Sequence, residues 1–272
     1  MKRYQQYIFS TADNAQSEII SALLSVHDHV GIEENEGSLT VYFEEATGND
    51  DIVRQVASDT GSTVQSSFVD DRNWNSLWES NFEPVTVDDF VSLRAHFHEA
   101  PVGVEHDIVI TPKMSFGTGH HATTWSMISQ MRGISFSGKR VFDFGTGTGV
   151  LAILAAKLGA AAVTAIDNDS WSIENAAENF QRNNISGITL LLADDATGDA
   201  TYEVILANIN KNVILANLRS LRSQLAPSGI VLLSGLLAED EGDIMAAATA
   251  AGLQAEGKVI RSNWLCLKLS TV

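Results

Sequence analysis

Residues 123–272 predict an α/β domain with a mostly parallel, doubly wound sheet, and residues 1–68 predict a small α+β unit ahead of it. Three observations carry this. Apolar strand-like runs alternate with amphipathic stretches from Thr123 onward, the pattern of a sheet covered on both faces. A glycine-rich turn, "DFGTGTGV", joins one such strand to the next helix. The first 68 residues follow a β-α-β-β-α-β order instead, which suggests a ferredoxin-like sandwich.

In chain order, "YQQYIFS" alternates like a strand. "NAQSEIISALLSVHD" opens on Asn14 as its capping residue and spaces Ile19, Ile20, Leu23, Leu24 and Val26 as a helix does. Two strands around a turn at Asn35–Gly37 follow, then the helix "DDIVRQVASDTG" stopped at Gly61, then the strand "STVQSSFV". Nothing in this unit looks catalytic; it reads as a recognition module. Residues 69–84 read as a linker helix, with Trp74, Leu77, Trp78 and Phe82 on one face and Pro84 ending it. It would let the small unit swing and one active site reach several acceptors. Residues 85–272 form the larger domain. Strands and turns occupy 85–113, and a helix covers about 122–132. Then come strand "RVFDFG", helix "GVLAILAAKLG", strand "AVTAIDND", helix "WSIENAAENFQRNN", strands "ITLLLAD" and "YEVILANI", helix "NVILANLRSLRSQL", strand "GIVLLSG", helix "EDEGDIMAAATAAG" and strands "LQAEGKVIRS" and "WLCLKLS".

Composition narrows the function classes. The formal net charge is −17 over 272 residues, a surface that repels phosphate backbones and attracts basic proteins. Residues 1–68 hold eleven acidic and three basic residues. The single cysteine, Cys266, suits a reducing compartment. The N-terminus lacks the apolar core of a signal peptide, and the longest apolar run is broken at Lys157 and Gly159. The expectation is a cytoplasmic monomer without a membrane span.

The glycine turn locates the chemistry. Gly145, Gly147 and Gly149 let the backbone approach a ligand, and the next helix aims its free N–H groups there. A dinucleotide fingerprint requires glycine or alanine where Val150 stands. Asp143, two residues before the first glycine, would repel a pyrophosphate and favour an amino-bearing ligand. Asp167 lies 22 residues past Gly145, where doubly wound folds place the acid that holds ribose hydroxyls. Asp194 and Asp195 end the third strand, near an adenine amino group, and Asn208 ends the fourth. Each alone could be a turn residue. Together they describe a pocket for S-adenosylmethionine, a ligand with ribose, adenine, amino acid and sulfonium but no phosphate.

With these residues in place, the chain resembles the bacterial methyltransferases that modify the large-subunit ribosomal protein numbered eleven, a family of class I S-adenosylmethionine-dependent enzymes with a Rossmann-like domain. The resemblance rests on "NWNSLWESNFEPV", "FGTGHHATT", "DFGTGTGVLAI", "LANI" and "LSGLLAED", and spans nearly the whole chain. It implies cofactor contacts at Thr124, Gly145, Asp167 and Asn208, and closure of Phe116, Gly117, Thr118 and Gly119 over the cofactor. It further implies methylation of lysine or N-terminal amines, S-adenosyl-L-homocysteine as product, and an N-terminal domain that grips the basic ribosomal protein. His121 occupies the family's histidine position, and His120 is less constrained. Two stretches depart from the family pattern: Ala122 stands for proline, and Ile209-Asn210-Lys211 for Ile-Leu-Ala after Asn208.

Asn208 is the expected catalytic residue, accepting hydrogen bonds from the amine. His96 and His98, able to share a strand face, with His106, His120 and His121, offer no paired metal spacing; no metal is expected. Base-amino methyltransferases carry an aromatic after the corresponding asparagine, which is absent here. Methylation of another basic protein and a non-catalytic role in ribosome assembly are the alternatives.

Overall fold

The computed structural model describes residues 3–24, 27, 29–35, 37–44, 49–70, 82–111, 119 and 121–271. The chain divides into two compact units, Met1–Leu77 and Trp78–Val272. The expected linker helix at 69–84 falls mostly outside the described residues.

The first unit runs β1 (Arg3–Ser10), α1 (Asn14–Leu24), β2 (Gly31–Asn35), β3 (Ser38–Glu44), α2 (Asp50–Thr60) and β4 (Thr63–Asp70). Its sheet has the order β2-β3-β1-β4 with every neighbour antiparallel. Tyr7 and Phe9, two apart on β1, bury with Leu39, Val41 and Phe43 of β3 beneath Ile20 and Leu24 of α1 and Val53, Val56 and Ala57 of α2. That is the two-residue strand period meeting the helical one. Gly61 ends α2 at φ +65°, a left-handed closure that costs glycine nothing. The expected cap at Asn14 is corrected: Asn14 is already helical, and Asp13 Oδ1 accepts from the Gln16 N–H at 2.9 Å. Asp13 wins because only the residue outside the helix can fold its side chain back over the free amides.

The second unit opens with β5 (Val85–Val87), β6 (Val91–Ala95) and β7 (His106–Ile110), a three-stranded sheet in that order. Phe82, just before it, is buried in the core of this unit. His96 and His98 lie beyond the end of β6 in a turn, not on a shared strand face as expected, and His98 Nδ1 accepts from the Ala95 N–H at 3.2 Å.

There follow α3 (Ala122–Met131), β8 (Arg140–Phe144), α4 (Val150–Lys157), β9 (Ala162–Asp167), α5 (Ser170–Arg182), β10 (Ile188–Leu192) and β11 (Tyr202–Asn208). The chain ends with α6 (Lys211–Ser223), β12 (Leu225–Leu237), α7 (Glu241–Ala250), β13 (Leu253–Arg261) and β14 (Trp264–Thr271). The seven-stranded sheet has the order β10-β9-β8-β11-β12-β14-β13. β10 through β12 are parallel, and β14 pairs antiparallel with both β12 and β13. Alternate residues divide between two cores. Val141, Val204 and Leu206 face one, with Leu151 of α4 and Met127 of α3. Phe142, Phe144, Ile205 and Ala207 face the other, with Ile214 and Leu218 of α6. Strand order reverses at β8, which pairs with both β9 and β11. Such a switch opens a crevice above the carboxyl ends of the strands. Among the described residues no helix is long and apolar enough to cross a membrane.

Replacing Asp13 by alanine should destabilise the first unit by about 1 kcal/mol, read in the full chain as faster amide exchange along α1. Asn14→Ala should leave that exchange unchanged.

Candidate functional site

The carboxyl ends of β8, β9, β11 and β12 surround a cleft of about 340 Å³ lined by His121, Gly145, Gly147, Asp167, Ser172, Asn208, Ile209, Asn210, Gly235 and Trp264. Its floor is the glycine turn. The N–H groups of Gly145 and Thr146 both donate to Ile166 O, at 3.0 and 2.9 Å, and Gly149 N–H to Thr146 O at 2.8 Å. Gly145, Gly147 and Gly149 all have positive φ, at +76°, +53° and +79°, which other residues rarely adopt. A Cβ on Gly149 would lie 2.5 Å from the Phe180 ring, so this glycine is also required for close packing of α4 on α5.

Asp167 anchors the turn: its Oδ2 accepts from the Gly147 N–H at 2.8 Å and its Oδ1 from the Asp169 N–H at 3.1 Å. Asp143 lies fully buried at the end of β8. Thr146 Oγ1 donates to its Oδ2 at 2.6 Å, while its Oδ1 has no partner. Burial, seconded by the charge of Asp167 against the opposing Thr146 bond, pushes its carboxyl up to about 7.

Opposite the turn, Asn208 is buried. Its Nδ2 donates to Thr124 Oγ1 at 3.4 Å, and its Oδ1 has no partner. Thr124 itself is inaccessible and supports Asn208 from behind. His121 precedes α3 and caps it, its Nδ1 accepting from the Thr123 N–H at 3.3 Å. Its ring meets Trp264 edge-on at 4.5 Å, and burial holds its pKa below the usual histidine value. Neutral imidazole and indole thus form an aromatic wall.

Of the expected residues, Gly145, Gly147, Asp167 and Asn208 come together on the cleft, with Asp143 and Thr124 packed behind it. Gly119 is buried at φ +95°, where a Cβ would strike Leu93. Phe116, Gly117, Thr118 and His120 lie outside the described residues. Asp194 is exposed beyond the end of β10 and is not among the lining residues. Asp195 Oδ1 accepts from the Thr197 N–H at 2.9 Å and stabilises its own turn. Trp264, Ser172 and Gly235 were not anticipated, whereas Asn210 belongs to the segment expected to border the amine pocket. Trp264 comes from the last strand, and nothing local in the sequence announces it. Asn179 and Asn183 carried a signal in their helical spacing: Asn179 bonds Thr148 O at 2.9 Å and the Thr111 N–H at 2.7 Å, and Asn183 bonds both backbone groups of Val109. Together they fasten α5 to the glycine turn and to β7.

The cleft can hold a nucleoside and a cationic group. Among the described residues no lysine or arginine lines it, and two buried oxygens without a partner, on Asp143 and Asn208, sit in or beside it. Among the described residues no group of three or more His, Cys, Asp or Glu is placed to hold a metal.

A family model described as ribosomal protein L11 methyltransferase (PrmA) matches residues 9–271. The Porphyromonas gingivalis protein named ribosomal protein L11 methyltransferase is 36% identical over 268 residues, covering 93% of this chain and 90% of its own. The Chlorobaculum tepidum protein of the same name is 40% identical over 241 residues and covers 83% of each chain. The crystal structure of a ribosomal protein L11 methylase from Lactobacillus delbrueckii subsp. bulgaricus superimposes with a TM-score of 0.66 at 28% identity, covering 70% of this chain and 99% of that one. A methyltransferase from Pyrococcus furiosus shares the fold, with a TM-score of 0.51 at 20% identity over 60% of this chain and 88% of that one.

Two outcomes follow from this geometry. A Cβ on Gly235 would stand 2.4 Å from Ile209 O at φ +81°, so Gly235→Ala should displace the Asn208–Asn210 turn and shift the amide resonances of residues 208–211. Asp143 should make ligand-free stability fall as pH rises from about 4 to about 7, because its carboxyl holds a proton in the folded state that the unfolded chain has released. Asp143→Asn should remove that slope, with little effect near pH 4 and a gain reaching its plateau above pH 7, measured by thermal unfolding across that range.

Proposed function

The chain belongs to the ribosomal protein L11 methyltransferase family, and we propose that it transfers methyl groups from S-adenosylmethionine to amines of ribosomal protein L11, chiefly lysine side chains. The observation that carries the reading is the unpartnered Asn208 Oδ1. It is a buried acceptor at the rim of a cleft that no basic side chain lines among the described residues, and an amine N–H is the donor it lacks.

When bound, S-adenosylmethionine supplies an electrophilic methyl on a sulfonium, for in-line displacement by nitrogen with S-adenosyl-L-homocysteine as product. The residues present fit it. Gly145 and Gly147 leave room for close approach, Asp167 stands where ribose hydroxyls need an acceptor, and Asp143 lies beneath the turn, where the arrival of an ammonium would favour its ionised form. Phe116, Gly117, Thr118 and Gly119 belong to the segment that would cover the donor, and Asp194, exposed beyond β10, would reach the adenine only from outside the cleft lining. No metal takes part in this reading.

The acceptor amine must be neutral. Lysine at a reference pKa near 10.4 is uncharged to about one part in a thousand at pH 7.4, a cost of about 4 kcal/mol. The aromatic wall of His121 and Trp264 lowers that cost by excluding water from the amine. His121 is neutral at pH 7, since burial depresses its pKa, and so adds no charge against the sulfonium. Asn208 Oδ1 then accepts an N–H and directs the nitrogen lone pair toward the methyl carbon. Positioning provides most of the acceleration, and no strong base is required.

The first unit, ferredoxin-like in its strand order, grips the ribosomal protein. Its acidic surface complements a basic substrate and disfavours direct contact with RNA. The protein works as a monomer in the cytoplasm.

A radiolabelled methyl-transfer assay with purified ribosomal proteins tests the reading: label should enter L11 alone. Asn208→Ala should lower kcat by about 100-fold or more while donor affinity, by calorimetry, falls by less than about tenfold. Label in a different basic protein, or undiminished turnover by the variant, would overturn the substrate or the role respectively.

A further inference from the structure

Lys211 breaks a local rule. It is the first residue of α6, whose first turn has no acidic side chain, and the start of a helix carries partial positive charge that disfavours a cation. A neutral helix former would suit the position better. Lys211 also belongs to the segment that departs from the family pattern, directly after Asn208, Ile209 and Asn210. Its Nζ bonds Asp240 Oδ1 at 2.9 Å and Asp243 Oδ2 at 2.6 Å, and these hydrogen bonds raise its pKa. Asp240 lies in the turn between β12 and α7, and Asp243 in the first turn of α7.

The two acids are not equivalent. Asp243 is 71% exposed, against 16% for Asp240. Asp240 also accepts the Leu237 N–H at 2.9 Å through its second oxygen, and so ties the end of β12 to Lys211. The same two segments meet again at the cleft. Ile209 N–H donates to Ser234 O at 3.1 Å, and Gly235 is packed so closely on the Ile209 backbone that no side chain fits between them. The turn bearing Asn208 is therefore held on one side by Ser234 and Gly235 and on the other by the Lys211–Asp240 pair.

We propose that Lys211 is a positioning residue: its ion pair with Asp240 clamps the Asn208–Asn210 turn onto the end of β12 and so sets where the Asn208 carboxamide meets the acceptor nitrogen. This rests on the methyl-transfer reading of the cleft. A partly buried pair that bridges two segments constrains the turn in a way that an exposed pair such as Lys211–Asp243 does not. Since the turn carries the acceptor-side group, while most donor-side groups, the glycine turn and Asp167, lie on other strands, the clamp acts chiefly on turnover and affects donor binding less than removal of the Asn208 side chain does.

The test uses the full chain with S-adenosylmethionine and ribosomal protein L11, plus amide hydrogen exchange on the protein alone. Lys211→Met should lower kcat by about tenfold or more, with KM for L11 within about twofold and donor affinity within about threefold of the parent. Exchange at Ile209 should quicken. Lys211→Arg should restore kcat to within about threefold of the parent, Asp240→Asn should copy Lys211→Met, and Asp243→Asn should stay near the parent. Parent-like kcat and exchange in Lys211→Met, or an arginine variant as impaired as the methionine one, overturns the proposal. If the parent chain transfers no methyl to L11, the substrate reading fails, and the exchange rates of Ile209 and the 234–240 segment in Lys211→Met and Asp240→Asn still decide whether the clamp exists.

Discussion

The hydrogen bond from the Gly147 N–H to Asp167 Oδ2 is the constraint on which the larger unit's site is organised. It joins the turn after β8 to the end of β9. The backbone can reach that carboxylate only because Gly145, Gly147 and Gly149 accept positive φ. With the turn so held, α4 packs directly on α5 through Gly149, Phe180 and Ala176, and the crevice at the strand-order reversal stays open where substrates bind in this architecture.

Polar groups that a packed core would normally exclude surround this turn, and most are paired with the backbone. Asn179 and Asn183 fasten it to β7 and the segment beyond; Asn217 accepts from the Ala196 N–H at 2.9 Å. Among the described residues a few buried side-chain atoms have no partner, and the oxygens of Asp143 and Asn208 are the ones that belong to expected site residues; unsatisfied buried acceptors are costly. Natural sequences retain such costs at working sites. A carboxyl kept near neutrality beneath the turn and a buried carboxamide oxygen beside the cleft are both suited to a ligand that brings its own N–H donors.

The acceptor side is built differently from the donor side. Donor-side groups come from short-range signals: a glycine turn after one strand and an acid after the next. Acceptor-side groups come from distant chain segments. Asn208 ends β11, His121 precedes α3, Trp264 begins β14, and Lys211 reaches Asp240 past the end of β12. Only the parallel pairing of β11 with β12, and the antiparallel return of β14, bring them to one rim.

Sequence alone determined the alternation of strands and helices, the glycine turn, Asp167 and Asn208 at strand ends, and the family. These depend on periodicity, backbone freedom and motif spacing, all of which are local. It misassigned the cap of α1 by one residue, because Asp13 and Asn14 are both good capping types and the chain's exit angle chooses between them. The shared strand face open to His96 and His98 in the sequence is not used, because the strand ends at Ala95. Tertiary structure decided that Trp264 faces His121, that Thr124 backs Asn208, that Asp194 lies exposed, and that Gly235 is needed for contact with Ile209. Each of these is a through-space relation between segments far apart in the chain. Strand order sets such distances, and a linear pattern of residue types does not record them.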